Sequence, residues 1–217
     1  MKKLIVICEG PTEQVFCKNI IKVHLKSFDI DVEYPLISHS NGGIVKWINL
    51  KPQIETSLAI NDETFVTTFI DYYGLESHHS YPKWSEAVAE ADKDKKMEIL
   101  EDGMLKDILV DRQPRFIPYI QLHEFEALVF SKYSAFVDYY EPSEANLAGL
   151  QSICTAHSNP ETINNLPSTA PSKRLKNNIS RYDKVTHGVD ICESIGIVTI
   201  RAKCPRFNNW IDKLEKI

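Results

Sequence analysis

Apolar runs alternate with stretches of helical periodicity over the first 130 residues. Strands are predicted at 3–8, 31–38, 64–71 and 115–122, and the second leads into a polar turn at 40–43. Helices are predicted at 11–27, 44–58, 82–110 and 124–130. This alternation indicates an α/β fold, with a parallel four-stranded sheet and helices on both of its faces.

Two of these helices carry more detailed expectations. Pro52 lies inside the second one and predicts a kink or a break there. The inward-facing residues expected within 82–110 are Val88, Met97, Leu100, Met104, Leu105 and Ile108.

Beyond residue 131 the pattern changes to short helices separated by prolines. The prolines are Pro142, Pro160, Pro167 and Pro171. A closing helix is predicted at 205–217, with Phe207, Trp210, Ile211 and Leu214 on one face. We therefore predict an α/β core at 1–130 and a C-terminal helical extension at 131–217 that packs on the core.

Composition narrows the class of protein. The 217 residues are 43% hydrophobic, which is enough for a buried core. Five cysteines form no CxxC pair and leave an odd thiol, which argues for a reducing compartment and against a disulfide scaffold or structural zinc site. The apolar run at the N-terminus is too short for a signal peptide, and no run could span a bilayer. A soluble, cytoplasmic protein without a membrane partner is expected.

Charge is unevenly distributed along the chain. The net charge is −5, yet the residues from Pro171 onward contain ten Lys or Arg and five Asp or Glu. Such a basic region suits nucleic acid, an acidic partner or simply a solvated surface. Lys173, Arg174 and Lys176 are the candidate phosphate contacts. Alternatively, these three side chains line a solvated helix that begins with Ser172 as its cap.

Carboxylates follow two of the predicted strands. Glu9 ends the first strand and Asp71 the third, so both are expected at the carboxyl edge of the sheet, where open α/β folds carry their sites. A carboxylate that ends an apolar strand has no packing role. Clustered carboxylates repel one another unless a cation lies between them, which indicates Mg²⁺. Glu13 lies on the first turn of the next helix, either facing the same crevice or stabilising the helix N-terminus.

These motifs resemble the Toprim domain, which occurs in topoisomerases, primases and OLD-type nucleases. The residues that carry the resemblance are Glu9-Gly10-Pro11-Thr12-Glu13, Phe69-Ile70-Asp71-Tyr72-Tyr73-Gly74 and Gln121-Leu122-His123-Glu124-Phe125-Glu126-Ala127-Leu128. Together with 159–164 and 171–175, they are similar to a bacterial Toprim-like branch. Its members are often encoded beside an AAA or ABC-type ATPase in loci that resemble phage-defence systems.

The resemblance implies a nuclease that uses Mg²⁺ or Mn²⁺ to hydrolyse DNA or RNA, with such an ATPase as partner. Glu9 and Asp71 would be the catalytic residues and metal ligands. The further ligands would be Glu13 and one of Glu124 and Glu126, which are two apart and so cannot face the same way on a helix.

One position departs from the Toprim pattern. Tyr73 stands where the second Asp of an Asp-x-Asp pair belongs, and a phenol is a poor Mg²⁺ ligand near neutral pH. Either another acid substitutes or catalysis is lost; the candidates are Glu13, Glu76, Glu124 and Glu126.

Two other functions stay open. Tyr73 favours a non-catalytic binding or effector subunit that keeps the fold and docks on an ATPase, and a homodimer is compatible with either function. A phosphoacceptor receiver domain also uses acids after strands one and three. It expects paired acids after strand one and a lysine at the end of a fifth strand, and neither is clear in the sequence.

Overall fold

The computed structural model describes residues 2–38, 43–163, 166 and 168–217. The predicted turn at 40–43, apart from Gly43, lies outside the described residues, as do Asn164 of the motif at 159–164 and Pro167.

Within the described part of the chain, short strands are followed by many short helices. The strands are β1 (Lys2–Cys8), β2 (Ile30–Glu33), β3 (Thr64–Asp71), β4 (Phe116–Ile117) and β5 (Ile120–Gln121). The α-helices are α1 (Pro11–Phe16), α2 (Lys22–Leu25), α3 (Trp47–Leu58), α4 (Trp84–Ala89), α5 (Lys93–Asp107), α6 (Ser134–Tyr139), α7 (Leu147–Ala156), α8 (Pro171–Asn178), α9 (Val189–Ile195), α10 (Ile197–Lys203) and α11 (Pro205–Leu214). Cys17–Ile21 and Lys184–Gly188 are π-helical, and Lys26–Phe28, Ser77–His79, Gln113–Arg115, Phe125–Ser131 and Pro160–Thr162 are 3-10 helices.

All strand pairs in the sheet are parallel, which confirms the predicted α/β fold. The order is β2-β1-β3-β4, and β5 also pairs with β3. β1 aligns with β3 from Lys3 opposite Thr64 to Cys8 opposite Phe69. The central strands β1 and β3 therefore end side by side, at the edge where parallel strands present their carboxyl ends. This arrangement is consistent with a Toprim-like fold.

Helices cover both faces of the sheet, as predicted. On one face Ile5 and Val66 share a core with residues of α3 and α5. On the other face the Phe16 ring meets the Phe69 ring edge-on, with the centroids 5.8 Å apart. Because successive strand residues point to opposite faces, an uninterrupted apolar run such as that of β1 is what a sheet covered on both faces requires.

The predicted strand at 115–122 was wrong as a single element, because Pro118 divides it into β4 and β5. Proline cannot donate a ladder hydrogen bond. Next to it, the Thr68 hydroxyl accepts from the Tyr119 N–H at 3.0 Å and donates to the Tyr119 carbonyl at 2.9 Å. The Thr68 side chain of β3 thus makes hydrogen bonds to this segment at the point where Pro118 interrupts the backbone ladder.

Several helix details also differ from the sequence prediction. Val88 is 48% exposed, because α4 ends at Ala89 and directs its neighbour Ala87 inward instead. α3 runs unbroken through Pro52, so the expected break does not occur. The segment at 124–130 is a 3-10 helix instead of an α-helix. The second strand ends at Glu33, and among the described residues that follow it, Leu36 forms an isolated parallel bridge with Cys8 of β1.

The chain forms two compact units. Unit 1 consists of Met1–Leu122 and Asp212–Ile217, and unit 2 is His123–Ile211. Unit 1 contains the sheet, and unit 2 is built from helices α6 to α10 and most of α11. None of the described helices combines the length and apolar character that crossing a bilayer requires.

Candidate functional site

Glu9 and Asp71 meet where β1 and β3 end. The Glu9 N–H donates to the Phe69 carbonyl at 3.1 Å, which extends the ladder by one step. The next donor is the Asp71 N–H, and it bonds the Glu9 side-chain Oε2 at 2.8 Å. If the parallel ladder continued in this register, the Asp71 N–H would donate to the Glu9 backbone carbonyl. The Glu9 carboxylate takes the place of that carbonyl as the acceptor. Glu9 and Asp71 thus lie side by side at the carboxyl edge of the sheet, while their role as metal ligands stays a prediction.

The turn after Glu9 is shaped by Gly10 and Pro11. Pro11 is the first residue of α1, where its missing N–H costs nothing. The Gly10 N–H donates to Glu13 Oε2 at 2.9 Å. A Cβ on Gly10 would lie 3.2 Å from that oxygen, so glycine leaves room for the carboxylate. Glu13 is 2% exposed and stabilises the helix start, while its role as a metal ligand stays a prediction.

Tyr81 is a site residue that the sequence did not indicate. Its side chain is 2% exposed, and its ring packs on Trp47 with the centroids 5.6 Å apart. Burial and the nearby Glu9 carboxylate raise the pKa of the Tyr81 phenol. Among the described residues, its hydroxyl has no hydrogen-bond partner. A buried hydroxyl without a partner is costly, and such groups are common where a protein binds water or a ligand.

A second such hydroxyl lies in the turn between Glu9 and Glu13. Thr12 is fully buried, and no described group pairs with its Oγ1. No signal in the sequence marks this atom as unpartnered, because a threonine near a helix start ordinarily caps it.

A divalent cation fits the donor chemistry of this edge. Mg²⁺ is commonly held by one or two carboxylates, with water and substrate phosphate oxygens completing its shell. Glu9 and Asp71 can supply those two carboxylates. In the part of the chain that the structure describes, no three His, Cys, Asp or Glu side chains form a group that could hold a metal ion. The longer ligand set implied by the resemblance stays a prediction.

Two residues near Asp71 bear on the missing second Asp of the Toprim pattern. Tyr73, which occupies that position, is 38% exposed. Glu76 was a candidate substitute, and its carboxylate lies 3.3 Å from His78 Nδ1 with 69% of the side chain exposed. An exposed carboxylate is well hydrated, so an ion pair with a single cationic group contributes little free energy.

Glu124 and Glu126 belong to unit 2. Both Glu124 oxygens accept hydrogen bonds at 2.9 Å, one from the Ser172 N–H and one from the Ser172 hydroxyl. Glu124 thus stabilises the start of α8. Glu126 is 3% exposed. Together with the larger effect of burial, the Glu126 charge raises the pKa of the Tyr182 phenol. The assignment of Glu124 and Glu126 as metal ligands stays a prediction.

Glu161 has the same role as Glu124 at another helix. Its carboxylate accepts from the N–H groups of Arg206 at 2.9 Å and Phe207 at 3.1 Å, at the start of α11. No local sequence pattern indicates this contact, because the partners of Glu161 are more than 40 residues away along the chain.

The candidate phosphate contacts lie on α8. Lys173 and Lys176 are exposed, and Arg174 is half-buried with its Nε donating to the Thr169 carbonyl at 2.8 Å. Ser172 does not cap this helix as proposed; Ala170 occupies the cap position and Pro171 the first turn. The contacts to phosphate stay a prediction.

Comparisons with known proteins give a family and one structural likeness. The model of a family described as a domain of unknown function, DUF4276, matches residues 8–215. No curated protein matches the chain. A solved structure of the C-terminal region of the Burkholderia pseudomallei OLD protein is similar, with 14% sequence identity, 99% of each chain covered and a TM-score of 0.47.

Proposed function

The chain belongs to the DUF4276 family, and we propose that it is a metal-dependent nuclease that hydrolyses phosphodiester bonds in DNA or RNA. The observation that carries this proposal is the hydrogen bond from the Asp71 N–H to the Glu9 carboxylate, which fixes two acids at the carboxyl edge of a parallel sheet. Ligand sites in open α/β folds lie at that edge. A buried sheet gains nothing in packing from two adjacent carboxylates.

Glu9 and Asp71 would hold Mg²⁺ or Mn²⁺. Such a cation, when bound, neutralises charge on a phosphodiester and orients it for attack by water. The Asp71 N–H keeps the Glu9 carboxylate in one position, so little reorganisation is needed when substrate arrives. Because its pKa is raised, the Tyr81 phenol keeps its proton at neutral pH and can donate a hydrogen bond to a phosphate oxygen or to water.

Tyr73 supports a second candidate function. With an exposed phenol in place of the second Asp, the domain would bind a partner instead of cleaving nucleic acid. In this alternative the chain is a non-catalytic effector subunit of an AAA or ABC-type ATPase. The same partner, and a place in phage defence, are compatible with the nuclease as well; both come from the motif resemblance alone.

A nuclease assay with matched variants tests the proposal. The full chain is incubated with single- and double-stranded DNA and with RNA, in Mg²⁺, Mn²⁺ or EDTA. Glu9→Gln and Asp71→Asn remove one charge each at nearly constant shape. Glu63→Gln is the control, since Glu63 is exposed and immediately precedes β3, at the opposite end of that strand from Asp71. We expect metal-dependent cleavage that both site variants abolish and the control retains.

Two results would contradict the nuclease. One is cleavage by a folded Glu9→Gln variant at the wild-type rate. The other is a wild-type chain that cleaves no substrate with any metal, either alone or with the ATPase encoded beside it. The second result, combined with binding to that ATPase, would establish the effector subunit instead.

A further inference from the structure

Unit 2 contains a cavity of about 290 Å³ that is lined by two lysines together with polar and apolar side chains. It lies among the end of the 3-10 helix Phe125–Ser131, the C-terminal ends of α7 and α10, and the loop after α7. Its lysine residues are Lys132 and Lys203, and the described residues that line it include no Asp or Glu. A volume near 300 Å³ is at the small end of the range for ligand sites.

Neither lysine of this cavity has an anionic partner among the described residues. Other lysines of the chain do pair, such as Lys83 and Lys106, which both reach Asp102. Two unpaired ammonium groups at one concave site repel each other and attract an anion. The cavity therefore has the charge of an anion-binding site.

His157 adds a polar nitrogen and indicates further positive charge nearby. Burial and the neighbouring Arg174 guanidinium lower the pKa of His157. The imidazole is therefore neutral at pH 7, with one N–H to donate. Arg174 is one of the three α8 residues that the sequence marked as phosphate contacts, so at least one of those candidates lies near His157.

Tyr133 supplies an aromatic surface at the same cavity. Its side chain is half-buried, and within the described ranges it has neither a ring contact nor a hydrogen bond. An aromatic ring beside cationic groups is the combination by which proteins hold single-stranded nucleic acid: the base stacks and the backbone phosphate is neutralised. The cavity is too small for a duplex.

The cavity is not a second catalytic centre of the thiol type. Burial raises the pKa of the Cys154 thiol to about 11. The thiol therefore stays protonated at neutral pH, and a thiol is a far weaker nucleophile than a thiolate.

From these observations we propose that the cavity of unit 2 binds one nucleotide of a single-stranded nucleic acid, with the phosphate on Lys132 and Lys203 and the base against Tyr133. This rests on the proposed function, because it identifies where the substrate of the nuclease is held. It also narrows the substrate class to nucleic acid that is single-stranded at the bound position.

Binding without cleavage tests the proposal directly. A fluorescent single-stranded oligonucleotide is titrated with the full chain in EDTA, and anisotropy is followed at several salt concentrations. The Lys132→Ala/Lys203→Ala double variant is compared with Lys26→Ala/Lys95→Ala, which removes the same charge from exposed positions of unit 1. We expect the first pair alone to weaken binding and to lower the log–log salt slope by about 0.7 for each lost phosphate contact.

The aromatic contact has its own variants. Tyr133→Ala should weaken oligonucleotide binding between about 5- and 150-fold, the usual effect of losing one stacked base. Tyr133→Phe keeps the aromatic ring and should retain most of the wild-type affinity. Unfolding curves of all variants check that unit 2 remains folded. Competition experiments with a mononucleotide and with inorganic phosphate distinguish a nucleic-acid site from a site for a free small anion. At a site for a free small anion, both competitors would displace the labelled oligonucleotide as effectively as unlabelled oligonucleotide does.

Three results would overturn the proposal: equal binding by both lysine pairs, an unaffected Tyr133→Ala, or equal competition by inorganic phosphate. Any of these leaves the nuclease proposal standing if Glu9 and Asp71 are still needed for cleavage. Conversely, a chain that binds oligonucleotide through the cavity and cleaves nothing removes the nuclease and retains the nucleotide site.

Discussion

The Asp71 backbone N–H donates a hydrogen bond to the Glu9 carboxylate at 2.8 Å across two neighbouring parallel strands. This one contact serves structure and chemistry together. It satisfies a partly buried donor that the ladder leaves after Glu9, and it places the carboxylate of Glu9 beside the residue that carries the second acid. A substitution at Glu9 therefore affects two properties that can be measured separately.

Glu9→Gln and Glu9→Ala separate these two properties. The glutamine oxygen can still accept from the Asp71 N–H, so we expect the free energy of unfolding to change by less than about 1 kcal/mol. Alanine leaves that donor without its partner and should cost about 1–3 kcal/mol. Both variants should lose metal-dependent cleavage.

Urea unfolding and the nuclease assay provide the two measurements. Equal stability of the two variants would show that the hydrogen bond contributes little to folding, while leaving the chemical role of the charge to the assay.

Tyr81→Phe should change stability and activity in opposite directions. The phenylalanine ring retains the contact with Trp47 and removes a buried hydroxyl that has no described partner, so stability should stay constant or rise by about 1 kcal/mol. If the hydroxyl donates to a bound phosphate or water, the cleavage rate should fall about 10- to 100-fold, the contribution of a hydrogen bond to a charged group.

Tyr34→Phe, at a half-buried tyrosine just after β2, is the matched control. A Tyr81→Phe variant that cleaves as fast as this control would exclude the phenol from the reaction and leave it as a packing residue.

The central strands could be predicted from the sequence because their signal is local. The run at 64–71 is apolar and ends in an acid, and β3 has those bounds, Thr64–Asp71. Glu9 and Asp71 then follow from sheet geometry alone, since parallel neighbours end at the same edge. The split of the fourth strand was also accessible in principle, because Pro118 lies within it.

Other features depend on contacts between distant parts of the chain. Tyr81 interacts with Glu9 only after the sheet and α3 are assembled, and no periodicity in the sequence indicates it. Glu124 accepts from Ser172, 48 residues further along, so a carboxylate that looked like a candidate ligand also has a structural role. Val88 was misplaced because the predicted helix at 82–110 is divided into two helices, with α4 ending at Ala89 and α5 beginning at Lys93.

Asp102 predicts a pH-dependent contribution to stability. Hydrogen bonds from Lys83 at 2.6 Å and Lys106 at 2.9 Å lower the pKa of its carboxyl group. A lowered folded-state pKa stabilises the protein above the unfolded value near 3.9, and the contribution disappears as pH falls through the folded value. Asp102→Asn should therefore be less stable than wild type at pH 7, by under about 1 kcal/mol because the pair is exposed.

Urea unfolding at pH 7 and near pH 3 measures this difference. We expect the gap between the two proteins to narrow at the lower pH and also at high salt, which screens exposed charges. If the difference in free energy of unfolding between the two proteins were the same at both pH values, the effect of Asp102→Asn would come from altered packing and not from the lost charge.

Glu124 offers a decisive comparison between a helix-stabilising residue and a metal ligand. Its two oxygens bond the N–H and the hydroxyl of Ser172, so Glu124→Ala should destabilise the chain by about 1.5–3 kcal/mol, and Ser172→Ala by less because the N–H contact remains. In a double-mutant cycle the two losses should not add, since each variant removes part of one shared interaction.

The Mn²⁺ concentration that gives half-maximal cleavage supplies the second readout. If Glu124 acts only at the start of α8, this concentration is the same in wild type, Glu124→Gln and Ser172→Ala. A higher Mn²⁺ requirement in Glu124→Gln but not in Ser172→Ala would show that the carboxylate reaches the metal, because only the first variant changes a charge that a cation could bind.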